Sequence, residues 1–401
     1  MIGKPFDQAA PIIHTLNKHG YECFFVGGSV RDFQLKRTIG DVDLATDADP
    51  HTVQQLFKRT IPVGIEHGTI LVLLNDNSYE VTTYRTEGEY KDHRHPEQVF
   101  FVNNIEEDLS RRDFTINAMA MGLDGKIIDP FNGLQDLKSK RIQTVRHAQD
   151  RFNEDALRML RAIRFSSQLE FFIDDEVVTA IKENRSLLDA ISVERITVEL
   201  TKMFGGNGVV RALEYLKETN LYQKLPIFRE NEEVFSQVYK RLREPISDQA
   251  VLIAYLHLME PSISISTWCK AYKLSNAVKR KATIIHEAFD QHQTTGLTND
   301  LLYQLTFDHI PSWNEYIRLA EGKSYDLSEL YSMFEQLPIK QKSDLAINGS
   351  DLIRLFPGRK KGKWISDYLS ELEYQVLRQE LPNQKDEIER QVKTWNQTEQ
   401  N

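Results

Sequence analysis

Two aspartates one residue apart, Asp41 and Asp43, carry the strongest chemical signal in the chain. On a strand, residues two apart share a face, so both carboxylates project together while Val42 and Leu44 turn to a core. Carboxylates held side by side repel each other unless a cation sits between them. Such a pair suits Mg²⁺, which takes oxygen ligands and completes its shell with water and substrate phosphates. Upstream, Phe24-Phe25-Val26-Gly27-Gly28-Ser29-Val30-Arg31-Asp32 reads as a strand running through glycines into a helix. Glycines let backbone approach a phosphate, and exposed amides at a helix start favour anions. Arg31, one turn after Gly28, suits phosphate oxygens. Gly-Gly-Ser alone fits a plain tight turn equally well. Beside the aspartate pair, it points to metal-assisted attack of a hydroxyl on a nucleoside triphosphate, with one ion acidifying the hydroxyl and a second steadying the leaving pyrophosphate. Glu80, in Tyr79-Glu80-Val81-Thr82-Thr83-Tyr84, is the candidate third carboxylate; a surface Glu on a half-exposed strand is the other reading.

The segment Glu154–Phe165 bears on base choice. At helical spacing Asp155, Arg158, Arg161 and Arg164 fall three apart and share a face, while Ala156, Leu157, Leu160 and Ile163 supply the buried side. Cytosine and adenine each offer an exocyclic amine beside an unprotonated ring nitrogen; uracil and guanine offer a carbonyl beside a ring N–H. An Asp next to an Arg therefore accepts C and A. With U or G it leaves buried polar groups unpaired, at about 1–3 kcal/mol each. The plainer alternative is an intrahelical Asp155–Arg158 salt bridge. Arg112 suits phosphate, and Asp113 suits a ribose hydroxyl or the N-cap of an apolar helix over Phe114–Met121.

The elements that must position these residues follow from the spacing. Tyr21–Val26, Ile70–Leu74 and Tyr79–Tyr84 read as strands, and Pro11–His19 and Pro50–Lys58 as helices. From about Arg151 helical spacing dominates to the end, with no internal repeat. Arg243-Glu244-Pro245 and Gln291–Thr298 are candidate breaks. Thr86–Gln98, with His93 and His95, reads as a mobile loop rather than a metal site, and Phe204-Gly205-Gly206-Asn207-Gly208 as a helix end. Ser192 reads as the N-cap of a supporting helix.

The chain has 401 residues, 40% hydrophobic and 27% charged, which is ordinary for a globular protein. Its net charge of −9 argues only weakly against nucleic acid, because contact with RNA needs a local basic surface. Lys340–Lys363 supplies one: Lys340, Lys342, Arg354, Arg359, Lys360, Lys361 and Lys363 stand against Asp344 and Asp351. It suits RNA phosphates, and a solvated basic loop is the alternative. Two cysteines far apart, Cys23 and Cys269, build neither a disulfide framework nor a thiolate zinc site, so a cytoplasmic home is expected. No stretch of 18 apolar residues exists, and no membrane span is expected.

Together, these motifs resemble the polymerase-beta-type nucleotidyltransferases, and more narrowly the class II branch that holds bacterial CCA-adding tRNA nucleotidyltransferases and poly(A) polymerases. The likeness runs through Gly27–Asp32, Gly40-Asp41-Val42-Asp43, Glu66-His67-Gly68-Thr69, Glu80–Thr83, Asp108–Ala118, Asp129-Pro130-Phe131, Glu154–Phe165 and Ser192-Val193-Glu194-Arg195. It is dense over roughly the first 200 residues and thinner beyond, where Ala346–Asp351 looks like its family counterpart. It implies an α+β chain: a mixed-sheet nucleotidyltransferase head over 1–147, then all-α parts, a neck over 148–240, a body over 241–310 and a tail over 311–401. It also implies template-independent addition of C, C and A from CTP and ATP to the 3′ end of tRNA, with Mg²⁺ on Asp41 and Asp43. Arg112 and Asp113 would meet the ribose and phosphates, and Asp155, Arg158, Arg161 and Arg164 the base. The 86–98 loop would help the switch to A addition, and the tail would contact tRNA. A homodimer is expected by resemblance alone. Poly(A) polymerase and a non-catalytic RNA-binding protein are the alternative readings.

Overall fold

The computed structural model describes residues 2–88 and 98–399. They form two compact units, Met1–Ser247 and Asp248–Asn401.

In the first unit the strands come early. They are β1 (Cys23–Val26), β2 (Asp43–Thr46), β3 (Thr60–Gly64), β4 (Thr69–Leu74), β5 (Asn77–Thr83), β6 (Arg85–Glu87), β7 (Val99–Phe101), β8 (Ala120–Met121) and β9 (Ile127–Ile128), followed by β10 (Arg141–Ile142) and β11 (Phe172–Ile173), which pair with each other. Seven of them build one mixed sheet in the order β3-β4-β5-β2-β1-β8-β9, and β6 and β7 pair separately. Only β2 and β5 run parallel within the sheet. Helix α1 (Phe6–Lys18) lays Phe6, Ala9, Ile12, Ile13 and Leu16 on its buried side, a 3–4 residue repeat. Phe6 meets Phe25 of β1 edge-on, with ring centroids 4.8 Å apart.

The register positions the chemistry. Antiparallel pairing of β1 with β2 sets Val26 opposite Asp43, so the residue after Val26 turns away directly beside that aspartate. Parallel pairing of β2 with β5 sets Leu44 level with Val81, which brings Glu80 alongside Asp43. Asp41 lies just ahead of β2 rather than on it, yet the expected alternation holds: Val42 and Leu44 are buried, Asp43 is half-buried and Asp41 is exposed.

Phe114–Met121 is not a helix. Thr115–Asn117 makes a single 3₁₀ turn and Ala120-Met121 becomes β8, pairing with Phe25 and Val26. Phe114, Ile116 and Ala118 through Met121 are all fully buried. Such an all-apolar run fits a buried strand as well as a helix, and the open edge of β1 takes it.

The remaining helices of this unit are α2 (Gly28–Gln34), α3 (Pro50–Leu56), α4 (Ile105–Ser110), α5 (Gly133–Ser139), α6 (Ala148–Glu154), α7 (Leu157–Leu169), α8 (Asp175–Asn184), α9 (Val193–Phe204), α10 (Val209–Glu218) and α11 (Glu232–Arg241). Ser192 does occupy the N-cap of α9, without a side-chain bond to it. The glycines after α9 do more than end a helix. A methyl group at Gly206 would lie 2.4 Å from Ser167 Oγ, so the turn presses directly on α7.

The second unit is helical: α12 (Gln249–Met259), α13 (Ile265–Ala271), α14 (Asn276–Thr295), α15 (Asn299–Glu321), α16 (Leu327–Glu335), α17 (Gly349–Leu355), α18 (Trp364–Leu377) and α19 (Lys385–Glu399). Within α15 the chain leaves helical geometry at Thr306 (φ 59°, ψ 163°), so two helical stretches meet there, a few residues before the division expected at 310/311, and Pro311 lies in the second. The Ala346–Asp351 motif resolves into a capping box. Asn348 Oδ1 accepts from the Asp351 amide at 3.2 Å, and Asp351 Oδ2 accepts from the Asn348 amide at 2.9 Å. Among the described residues no helix is long and apolar enough to cross a membrane.

Candidate active site

A cavity of about 800 Å³ opens in the first unit where β1, β2, α2 and α7 converge. Gly27, Gly28, Asp41 and Asp43 line one side. Arg31, Arg112, Asp113, Asp155, Arg158, Arg161 and Arg164 line the rest, with His67, Asn117, Phe165, Arg195 and Lys202 among their neighbours. Of the residues singled out from sequence, Glu80 alone does not line it. The expected histidine loop lies largely outside the described residues.

The bend at Gly27 has φ of 72°, a left-handed conformation that favours glycine. A methyl group there would stand 2.9 Å from Arg112 Nη1 and 4.0 Å from Asp43 Oδ2. Backbone, cation and carboxylate thus meet at one corner. Arg31, on α2, donates from Nε to Asp32 Oδ1 at 2.9 Å and from Nη1 to Asn117 Oδ1 at 2.7 Å.

Burial, with Glu80 and Asp41 adding like charge and Arg112 opposing, pushes the Asp43 carboxyl up to about 6. A carboxylate that costs this much to ionise alone fits a cation partner. The donors are all oxygen, the set a hard divalent ion prefers. Among the described residues no three His, Cys, Asp or Glu side chains gather closely enough to hold an ion. The fit is therefore to a pair whose ion shares its remaining positions with water and phosphate.

Asp155 departs from the helical expectation. Its φ of −137° and ψ of 104° make it the break between α6 and α7. There Oδ1 accepts from the Leu157 amide at 3.1 Å and Oδ2 pairs with Arg195 at 2.8 Å. Arg158 pairs instead with Glu154 at 2.6 Å and donates to the Arg111 carbonyl at 3.2 Å. No intrahelical Asp155–Arg158 bridge forms. Each member is held by another partner, and both line the cavity. The three-residue spacing suggested one continuous helix, but Asp155 instead caps the start of α7 through the Leu157 amide, and Arg195 on α9 holds its other oxygen.

Asp113 is not a helix cap. It is buried, its Oδ1 accepts from the Phe114 amide at 2.8 Å and Asn117 Nδ2 at 3.1 Å, and its Oδ2 accepts from Arg161 Nε at 2.7 Å. Burial alone would raise its carboxyl, but Arg161, Asn117 and Arg158 hold it well below the usual carboxylate range. Arg164 pairs with Glu199 at 3.0 Å, and burial together with Arg161 pulls its guanidinium down to about 10.

Several residues of the site were invisible to spacing. Buried Asp108 holds Arg111 at 2.8 Å and Arg112 at 3.2 Å. Arg195 and Glu199 act from α9, and Asn117 joins Arg31 to Asp113. The motifs contain all of them but Glu199, and their roles depend on contacts between distant segments.

The comparisons with known proteins now decide the family. The CCA-adding enzyme of Oceanobacillus iheyensis is 46% identical over 401 residues, covering 98% of each chain. That of Bacillus subtilis is 43% identical over 401 residues, covering 98% of this chain and 99% of the relative. This chain belongs to the CCA-adding enzyme family. The "Poly A polymerase head domain" profile matches residues 23–143, which carry the glycine bend and both aspartates, and a "tRNA nucleotidyltransferase domain 2" profile matches 245–392. The crystal structure of the Bacillus stearothermophilus CCA-adding enzyme in complex with CTP is similar at a TM-score of 0.88, with 37% identity and 99% of both chains covered.

In the second unit, the family's basic stretch is narrower than its composition suggests. Lys340, Lys342 and Arg354 pair with Glu335, Glu373 and Asp351. Arg359 sits 4.5 Å from the Trp364 ring centroid. Lys360, Lys361 and Lys363 are exposed on the turn before α18.

Proposed function

We propose that this protein adds C, C and A in turn to the 3′ end of tRNA in the cytoplasm, taking CTP and ATP into one site and releasing pyrophosphate without a nucleic-acid template. The observation that carries this reading is the corner where Gly27, Arg112 and Asp43 meet, within a cavity that Asp155 and Arg158 also line. The full-length likeness to CCA-adding enzymes supports it.

Asp41 and Asp43 would hold Mg²⁺, which when bound supplies Lewis acidity toward the RNA hydroxyl and the triphosphate. Glu80, alongside Asp43, adds negative charge to that edge. Arg31 and Arg112 neutralise phosphate oxygens at the glycine bend, and the Gly28 amide region gives them room. Asp113, fixed by Arg161 and Asn117, keeps an acceptor beside the sugar. Asp155, anchored by Arg195 at the helix break, offers the acceptor for an exocyclic amine, and Arg158 offers the donor for a ring nitrogen. Arg161 and Arg164 complete the cationic wall. Both C and A satisfy this pair; U and G leave it unpaired.

The reading is tested with tRNA transcripts that end before CCA, supplied with CTP alone, ATP alone, or both. Two residues with CTP, none with ATP and three with both are expected. Long A tracts on unrelated RNA would instead make the protein a poly(A) polymerase.

A further inference from the structure

Phe165 has no part in the reading so far, yet it stands at the centre of the cationic wall. Three guanidinium groups lie over its ring: Arg164 at 4.0 Å from the centroid, Arg31 at 5.1 Å and Arg161 at 5.5 Å. The ring is buried, 4% exposed, and Phe114 packs against it edge-on at 5.7 Å, fixing its tilt. Arg31 comes from α2, and Arg161 and Arg164 come from α7, the helix that carries Phe165 itself; each is also drawn by a carboxylate. Arg31 reaches Asp32 at 2.9 Å, Arg161 reaches Asp113 at 2.7 Å and Arg164 reaches Glu199 at 3.0 Å. Like charges this close repel. Glu199 lies 3.7 Å from Arg161 as well as 3.0 Å from Arg164, but the negative ring face meets all three.

We propose that Phe165 is a positioning residue: its π face gathers Arg31, Arg161 and Arg164 into a single preformed receptor for the sugar and triphosphate of the incoming nucleotide. This rests on the nucleotide site proposed above. Without the ring's charge, the bonds to Asp32, Asp113 and Glu199 alone hold the arginines against their mutual repulsion, and the nucleotide must draw them together on binding. CTP and ATP share the sugar and triphosphate, so both are weakened alike. Asp41, Asp43, Asp155 and Arg158 do not rest on the ring, so turnover at saturation and base choice persist.

The test replaces Phe165 with mono-, di- and trifluorinated phenylalanine, which drains charge from the ring face while nearly keeping its volume. KM for CTP and for ATP is expected to rise stepwise with fluorine count, to roughly tenfold at three fluorines. In the same series kcat should stay within about twofold, and C and A should remain preferred over U and G. Phe165→Leu should match the high end, and Phe165→Tyr should restore KM. Flat KM across the fluorinated series would overturn the proposal, as would a selective loss of one nucleotide. If the unsubstituted enzyme adds neither C nor A to tRNA, the functional reading itself fails, a result distinct from flat KM in an active enzyme.

Discussion

At the scale of single residues the account turns on charge that the fold tolerates only with a partner. Asp43, raised to about 6 by burial, Glu80 and Asp41, is such a group. Its native value lies above the usual carboxylate range, so without metal its ionisation opposes folding. The penalty is complete above about pH 6 and fades as pH falls toward 4, where the carboxyl is protonated in both states. Metal-free Asp43→Asn should therefore melt several degrees above the parent at pH 8 and at the same temperature near pH 4, as followed by calorimetry. With metal present the order should reverse, because the amide binds the ion poorly. Protons and ion compete for the same oxygens, so metal affinity should fall as pH drops through about 6. Asp41→Ala and Asp43→Ala should lower incorporation by at least about a thousandfold. A filter-binding assay should find tRNA affinity unchanged within about twofold, since neither residue belongs to the basic turn of the second unit.

At the scale of elements, the break between α6 and α7 places the base-reading pair. Because Arg195 holds Asp155 at 2.8 Å, Arg195→Ala should free that carboxylate and let UTP be used more readily. A rise in the UTP-to-CTP ratio of kcat/KM of about tenfold, smaller than that from Asp155→Ala, would bear this out. The glycine bend is equally exacting. Gly27→Ala brings a methyl group to 2.9 Å from Arg112 Nη1 at a φ of 72°, so nucleotide KM should rise while the protein stays folded. These elements also show where the sequence was readable. The Asp41–Asp43 alternation survived because a strand's two-residue period is local. The helix expected over Phe114–Met121 failed because a run buried on every side has no period to read. Asp155 was misplaced onto a helix because the three-residue spacing hid a local cap: its carboxylate takes the Leu157 amide, with Arg195, 40 residues away, on the other oxygen. Asp108 and Glu199 escaped notice for a different reason: a buried carboxylate takes its role from arginines that only the fold brings to it.

At the scale of the whole molecule, the cavity and the basic turn proposed to meet tRNA fall in different compact units. The nucleotide cavity lies wholly within the first, and the exposed lysines Lys360, Lys361 and Lys363 lie in the second. Replacing all three with Ala should weaken tRNA binding and flatten its salt dependence, by about 0.7–0.9 in log–log slope for each phosphate no longer neutralised. CTP binding without tRNA should not change. Titration of tRNA against each variant across a salt series measures this directly. The change from α/β patterning to helical spacing near Arg151 was legible in the sequence. The course of the later helices was not. The helical stretch Asn299–Glu321 breaks at Thr306, where φ of 59° and ψ of 163° leave the helix, a few residues ahead of the division expected at 310/311.

The most direct test of the central claim is anomalous diffraction from crystals soaked with Mn²⁺ and an unreactive CTP analogue. The account predicts an anomalous peak within coordination distance, about 2.2 Å, of both Asp41 and Asp43, touching the triphosphate seated over Gly27 and Gly28. Metal density elsewhere, or carboxylates turned apart beside a bound nucleotide, would contradict it.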